Sequence, residues 1–428
     1  MTTELIAEYT AELFEKYERL KAGDDSIPFW DLVVLCCTNE ARVEAAFRRC
    51  LARHALPPAA SYRVAADPPG PKVECGGATL HLLQTLRAEL GDQLDSLRVL
   101  VIHAGGFSKR LVHHAVLGKI FSPLPVGGRS LTMLDVKLTM YLPYAALLPA
   151  GMFFTGCDDI QLAWLPPRLP EDLFADGMEG FVALAHPAPV SVAVNHGVYV
   201  LPPDEKHGNE HLYTSPCEEV LQKPSEQLMR ERGAVLVAGD QETVHIDGAF
   251  WISPSAQRRL EKLYVRLLPL TEELSAYRDF LPCLGRRRPS HYQSDVLPQL
   301  AADSARALTF DALQGVPLRV LVVPRSRFFH LGTLPEYLEH LSGGGGPAAV
   351  LSSLLSAEAR LAAGALAEFC RLDGHVTAGD GALLSHCHVA GMADAMEHRD
   401  PLAMLEFREI IDKELDAAAG AEEVGDRG

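Results

Sequence analysis

Two lysine-bearing segments are the residues in this chain best suited to chemistry. The first, His103-Ala104-Gly105-Gly106-Phe107-Ser108-Lys109-Arg110, follows the apolar run Leu97 to Ile102, and Lys119 comes nine residues later. Glycines at a strand end let backbone N–H groups approach phosphate oxygens, while Arg110 and Lys119 add positive charge. The second, Leu221-Gln222-Lys223-Pro224, lies about a hundred residues further on. Its proline predicts an extended backbone at Lys223 that aims the side chain outward. A planar guanidinium can bridge two phosphates, and a compact ammonium can follow a moving one. When a nucleotide's α-phosphorus is attacked, charge builds on its non-bridging oxygens and on the leaving pyrophosphate, so cations fixed there act in the transition state.

Carboxylates stand at matching places. Cys157-Asp158-Asp159-Ile160 follows the apolar run Met152 to Thr155, and Asp247 sits in Val244-His245-Ile246-Asp247-Gly248. Mg²⁺ is held by one or two carboxylates together with phosphates and waters, so Asp158, Asp159 and Asp247 are candidate ligands. Taken singly, each aspartate is as well explained as a helix cap or turn residue. Asn195-His196-Gly197-Val198 joins a polar pair to a glycine at a strand start and suits sugar hydroxyls. His186, His113 and His114 are assigned structural roles, since most single histidines are not ligands. Sequence order assembles neither a Ser/His/Asp triad nor a zinc-spaced cluster.

These residues need a scaffold, and the elements predicted around them supply one. Strands over Asp31 to Cys37, Ser61 to Ala65 and Leu97 to Ile102 alternate with helices over Asn39 to His54 and Thr79 to Leu90, which implies a largely parallel sheet covered on both faces. Further strands are predicted at Gly151 to Thr155, Gly180 to Ala185, Gly197 to Leu201 and Leu318 to Val323. Helices are expected at Ser130 to Leu142, Ser225 to Arg232 and Ser253 to Arg266. In such sheets ligands bind beyond the carboxyl ends of the strands, where Gly76-Gly77 and Gly105-Gly106 are expected to emerge. The expected organisation is an N-terminal helical segment over 1–28, a catalytic domain over 29–342, a Gly-rich linker over 343–348 and a C-terminal part over 349–428. In that last part, Leu355 to Phe369 and Pro401 to Leu415 read as helical. Between them, Phe369 to Val389 has small or apolar residues at about six-residue spacing, the mark of one or two β-helix coils.

With 428 residues and a formal charge of −17, the chain can bury a full core but is a poor general binder of nucleic acid. The N-terminus lacks the basic and apolar regions of a secretory signal, and the apolar stretch Tyr141 to Gly156 is too short to span a bilayer. Nine cysteines with no C-x-x-C pair fit a reducing cytoplasm, and the lack of a spanning stretch leads us to expect no membrane partner.

Taken in order, these segments resemble the fucose-1-phosphate guanylyltransferase family, also called GDP-L-fucose pyrophosphorylases. The resemblance rests on Gly76-Gly77-Ala78-Thr79-Leu80, His103 to Arg110, Leu117-Gly118-Lys119-Ile120-Phe121, Cys157 to Ile160, Asn195 to Val198, Leu221 to Pro224 and Phe329 to Leu338. It implies an α/β, Rossmann-like nucleotidyltransferase domain followed by a short, partial left-handed β-helix and a C-terminal helix. The implied reaction joins GTP and β-L-fucose 1-phosphate into GDP-L-fucose and pyrophosphate, with Mg²⁺, in fucose salvage and without an obligate protein partner. By motif, Gly105, Gly106, Ser108 and Arg110 would hold the triphosphate, Lys119 the α-phosphate, and Gly76, Gly77 and Thr79 the base. Asn195, His196 and Gly197 would bind the sugar, Lys223 its phosphate, and Asp159 with Asp247 the metal. Two rivals are a non-catalytic nucleotide-binding or regulatory relative and a pyrophosphorylase for another sugar phosphate.

Overall fold

The computed structural model describes residues 2–105, 110–111, 114, 118–126, 129–170, 173–174, 177–203, 212–238, 241–342, 348–390 and 393–395. Residues 343–347 of the linker expected at 343–348, and the helix expected at Pro401 to Leu415, lie outside these residues. The chain divides into two compact units. Met1–Glu40, Phe47–Gly106 and Lys137–Phe329 form the first, and Ala41–Ala46, Phe107–Val136 and His330–Gly428 the second.

In the first unit, the predicted apolar runs form a mixed sheet. Strands Ser61–Ala66, Leu32–Cys37, Arg98–His103 and Gly151–Gly156 lie side by side and parallel. The last three are buried almost throughout, as a sheet covered on both faces requires. Helices Glu74–Leu90 and Pro254–Leu267 contribute Leu83, Leu86, Leu260 and Leu263 to one core with Val34, Val101 and Phe154 of these strands. Ser253 caps the second helix by accepting the Ala256 N–H, and Pro254 occupies its first turn. The first helix begins at Glu74, so Gly76-Gly77 lies inside it rather than in the expected strand-end loop.

Sequence patterning missed the longest strand. Gln241–Ile252 runs antiparallel between Gly151–Gly156 and Phe181–Pro189 and also pairs with Gly197–Val200. It therefore splits the sheet, so the architecture is mixed α/β with a parallel half. Beyond it, Leu318–Val322 lies parallel to Phe181–Pro189 and carries Tyr213–Pro216 at the edge.

The second unit pairs Pro123–Val126 with Arg129–Thr132 and contains three short parallel ladders. Residues stacked in a ladder are seventeen apart, as with Ala349, Leu366 and Leu383, so the chain returns above itself once per repeat. Ser352, Phe369 and His386 mark the same corner of successive repeats, each with positive φ. No helix forms over Leu355 to Phe369. That Ala-rich stretch instead supplies the strands Arg360–Leu361 and Leu366–Glu368, because ladder bonds to neighbouring repeats outweigh weak local helix propensity. Among the described residues, three rungs starting at Ala349 stand where one or two coils were expected near Phe369 to Val389. Among the described residues, no helix is long and apolar enough to cross a membrane.

Candidate active site

Asp159 opens the strand Asp159–Ala163, and the alternation of a strand puts Gln161 on the same face. Both are buried. One carboxylate oxygen of Asp159 pairs with Lys137 Nζ at 2.9 Å, and the other accepts the Gln161 amide N–H at 2.6 Å. Lys137 is only 1% exposed; it comes from the helix Met133–Met140 and donates also to Thr155 Oγ1, 3.2 Å away. Asp158 is half-buried, so of the two adjacent carboxylates it is Asp159 that is built into the interior.

Asp247 comes from the middle of the long central strand, not from an edge. The register of that strand against Phe181–Pro189 shifts between Asp247 and Phe250, and this bulge re-aims the aspartate. Its Oδ1 accepts the Gly197 N–H at 3.0 Å. Gly197 has to be glycine, since a Cβ there would strike the Asp247 carboxylate. Burial pushes the Asp247 carboxyl up to about 6; the Gly197 N–H opposes this, the Asp159 charge adds to it, and Lys223 pulls it back. Asp159, Asp247, Gly197 and Lys223 thus share one electrostatic neighbourhood.

Lys223 follows the strand Glu219–Gln222 and is exposed. Its φ is +47°, not the extended value expected before proline. The cause is a turn: the Lys223 N–H donates to the His196 carbonyl at 3.0 Å, tying the lysine to the Asn195-His196-Gly197 segment. His196 rests edge-on against Phe328 at 5.2 Å, while Asn195 is exposed.

Gly105 lies two residues beyond the strand Arg98–His103. A Cβ there would lie 2.8 Å from backbone atoms of Cys37 and Thr38, so only glycine lets the chain leave across them. Gly106 and Ser108 lie outside the described residues. Gly76 and Gly77 both donate N–H groups to the Leu274 carbonyl, and the Thr79 hydroxyl donates to the Cys75 carbonyl at 2.7 Å. A nucleotide role for these three would have to use other atoms. Arg110 and Lys119 belong to the second unit, where Arg110 is exposed and Lys119 opens a short turn after Gly118. Ser122 ties that turn down by donating to the Lys119 carbonyl through its hydroxyl at 2.7 Å and its N–H at 3.1 Å.

Residues 91–398 match the fucose pyrophosphorylase domain. The chain belongs to the fucose pyrophosphorylase family. It is 32% identical over 411 residues to the fucose-1-phosphate guanylyltransferase of Mus musculus, covering 85% of this chain and 69% of that protein. The Homo sapiens fucose-1-phosphate guanylyltransferase is 29% identical over 419 residues, 86% of this chain and 68% of that protein. A bifunctional fucokinase/GDP-fucose pyrophosphorylase of Arabidopsis thaliana is 23% identical over 354 residues, 74% of this chain and 32% of that protein.

In this family member, sequence reasoning overlooked Lys137, Gln161 and Tyr277. Tyr277 is held above its usual pKa by burial and then by the charge of Asp159, with Asp247 adding to it. The available signals were a lone lysine in an apolar helix and a glutamine two residues after an aspartate.

The Asp247 shift makes a pH prediction for metal-free protein. The folded chain binds this proton more tightly than the unfolded chain, so its stabilisation is complete below the ordinary value of 3.8 and lost as pH rises through about 6. Asp247→Asn keeps an oxygen for the Gly197 N–H but does not titrate. With chelator present, its Tm is expected to rise relative to wild type between about pH 4 and about pH 7. A difference that does not change with pH would count against the assignment.

Proposed function

We propose that this chain transfers GMP from GTP to β-L-fucose 1-phosphate, giving GDP-L-fucose and pyrophosphate. The observation that carries the reading is the grouping of two buried carboxylates, Asp159 and Asp247, with Lys223 and the His196-Gly197 turn. An oxygen of the sugar phosphate attacks the α-phosphorus of GTP, and the bond to pyrophosphate breaks with its electron pair leaving on pyrophosphate. The nucleophile is already anionic, so positioning and electrostatics suffice without a general base. In this reading Lys223 grips the sugar phosphate, and Asn195, His196 and Gly197 meet the sugar. Gly105, Gly106, Ser108 and Arg110 hold the triphosphate, while Lys119 stabilises the α-phosphate.

Asp159 and Asp247 suit Mg²⁺. They are two neighbouring buried anions, and no cluster of three or more ligating side chains occurs among the described residues, so phosphate oxygens and water would complete the shell. Mg²⁺ would offset repulsion between the two polyanionic substrates and steady the leaving group. The seventeen-residue repeat is read as the left-handed β-helix implied by the resemblance. Nine free cysteines support a cytoplasmic setting.

Pyrophosphate release measured with GTP and fucose 1-phosphate, against UTP and hexose 1-phosphates, tests the function. Release only with another pair would shift the reading to another sugar nucleotide, and none with any pair would favour a non-catalytic relative. Lys223→Ala is expected to raise the KM for the sugar phosphate by about tenfold or more while kcat falls less, as loss of a charge-assisted phosphate contact should. An unchanged KM would remove Lys223 from this role.

A further inference from the structure

We propose that His186 is a positioning residue that fixes the Asp159 carboxylate through Gln161. The inference rests on the reading of Asp159 as a metal ligand and extends it to residues two steps away. His186 lies on the strand Phe181–Pro189 and is fully buried. Its Nδ1 is 2.8 Å from Ser326 Oγ, and its Nε2 is 2.9 Å from Gln161 Oε1. Gln161 Nε2 then reaches Asp159 Oδ2 at 2.6 Å. The strands carrying Ser326 and Gln161 pair with each other, and Trp164 N–H to Arg325 carbonyl at 2.8 Å holds them in step.

The proton order follows from the last link. An ionised carboxylate only accepts, so Gln161 must turn its NH₂ to Asp159 and its carbonyl to His186. His186 must then carry its proton on Nε2, and its Nδ1 shares the one Ser326 hydroxyl proton with the Val323 carbonyl, 2.6 Å from the same Oγ. Burial, with His245 nearby, holds the His186 pKa down at about 3, so the ring is neutral and has one proton to give. The donors of His186 and Gln161 therefore point toward Asp159. Gly248 leaves the room for this chain, because a Cβ there would stand 2.9 Å from Gln161 Oε1. With Lys137 on the other oxygen, the carboxylate is gripped from both sides and its remaining lone pairs are directed. Partners of this kind behind a metal ligand are worth about 10–100-fold in metal affinity.

The test is binding of Mn²⁺ to the full-length protein in the presence of GTP without sugar phosphate, followed by the paramagnetic resonance of free Mn²⁺. His186→Asn lacks a donor at the Nε2 position and is expected to weaken binding about tenfold, with Ser326→Ala weakening it less. His186→Gln places an amide N–H near the original Nε2 and should restore most of the affinity. In an Asp159→Asn background, His186→Asn should add nothing further. Wild-type affinity in a folded His186→Asn variant, or an undiminished effect in that background, overturns the relay while leaving the metal reading standing. Unaltered Mn²⁺ binding by Asp159→Asn alone overturns both.

Discussion

Lys119→Ala is expected to lower kcat by about 10²–10³-fold while leaving the KM for GTP nearly unchanged, because a cation aimed at the α-phosphate acts mainly as charge builds there. The substitution keeps the backbone bonds of the turn. The bonds from Ser122 that hold the turn go to the Lys119 carbonyl, which alanine keeps. Ser122 in turn lies beside the buried His114, which faces Glu368 at 3.6 Å, and Glu368 accepts from the Tyr337 hydroxyl at 2.6 Å. The backbone of the turn is thus anchored in the ladder-bearing unit independently of the lysine side chain. Steady-state kinetics in both substrates decides the matter. Equal turnover in wild type and Lys119→Ala would withdraw the catalytic role.

Lys137→Met is expected to destabilise the folded protein by about 3–5 kcal/mol, the usual cost of removing one partner from a buried ion pair. Methionine approximates the length and volume of the lysine, so little of the loss would come from packing. The larger part comes from Asp159, left buried with only Gln161 donating to it and with the Asp247 carboxylate nearby. Tyr141, whose ring lies 5.4 Å from Lys137 Nζ, loses a cation–π contact worth much less. Urea unfolding at neutral pH measures the effect. Adding Asp159→Asn should return most of the stability, since the unpaired charge goes with it. A loss below about 1 kcal/mol for Lys137→Met would show that the pair is not buried in the way described.

How much of this was legible depends on how local each signal is. The strand before Gly105, the Ser253 cap and the run Leu32–Cys37 all follow from neighbours within a few residues. The reading failed where distant chain decides. Pro224 predicts an extended Lys223, yet a hydrogen bond to His196 turns it to positive φ. Leu355 to Phe369 is rich in helix formers, yet each short strand there gains its bonds from a repeat seventeen residues away. The bond between His186 and Gln161 joins separate strands, so neither residue's neighbours in the chain mark it.

The amino-acid sequence alone determined the segments whose order matches the family, and with them the expectation of phosphate-binding glycines and cations, paired carboxylates and a sugar-suited turn. Those features are short, and their residue types are chosen by contacts they make themselves. Only the tertiary structure decided which carboxylate is buried and how it is held. The ion pair of Lys137 with Asp159, the bulge that swings Asp247 toward Gly197, and the chain from Ser326 through His186 and Gln161 each join elements far apart in sequence. Burying a charge is unfavourable unless partners meet it, and which partners meet it is set by how strands and helices pack rather than by neighbours in the chain.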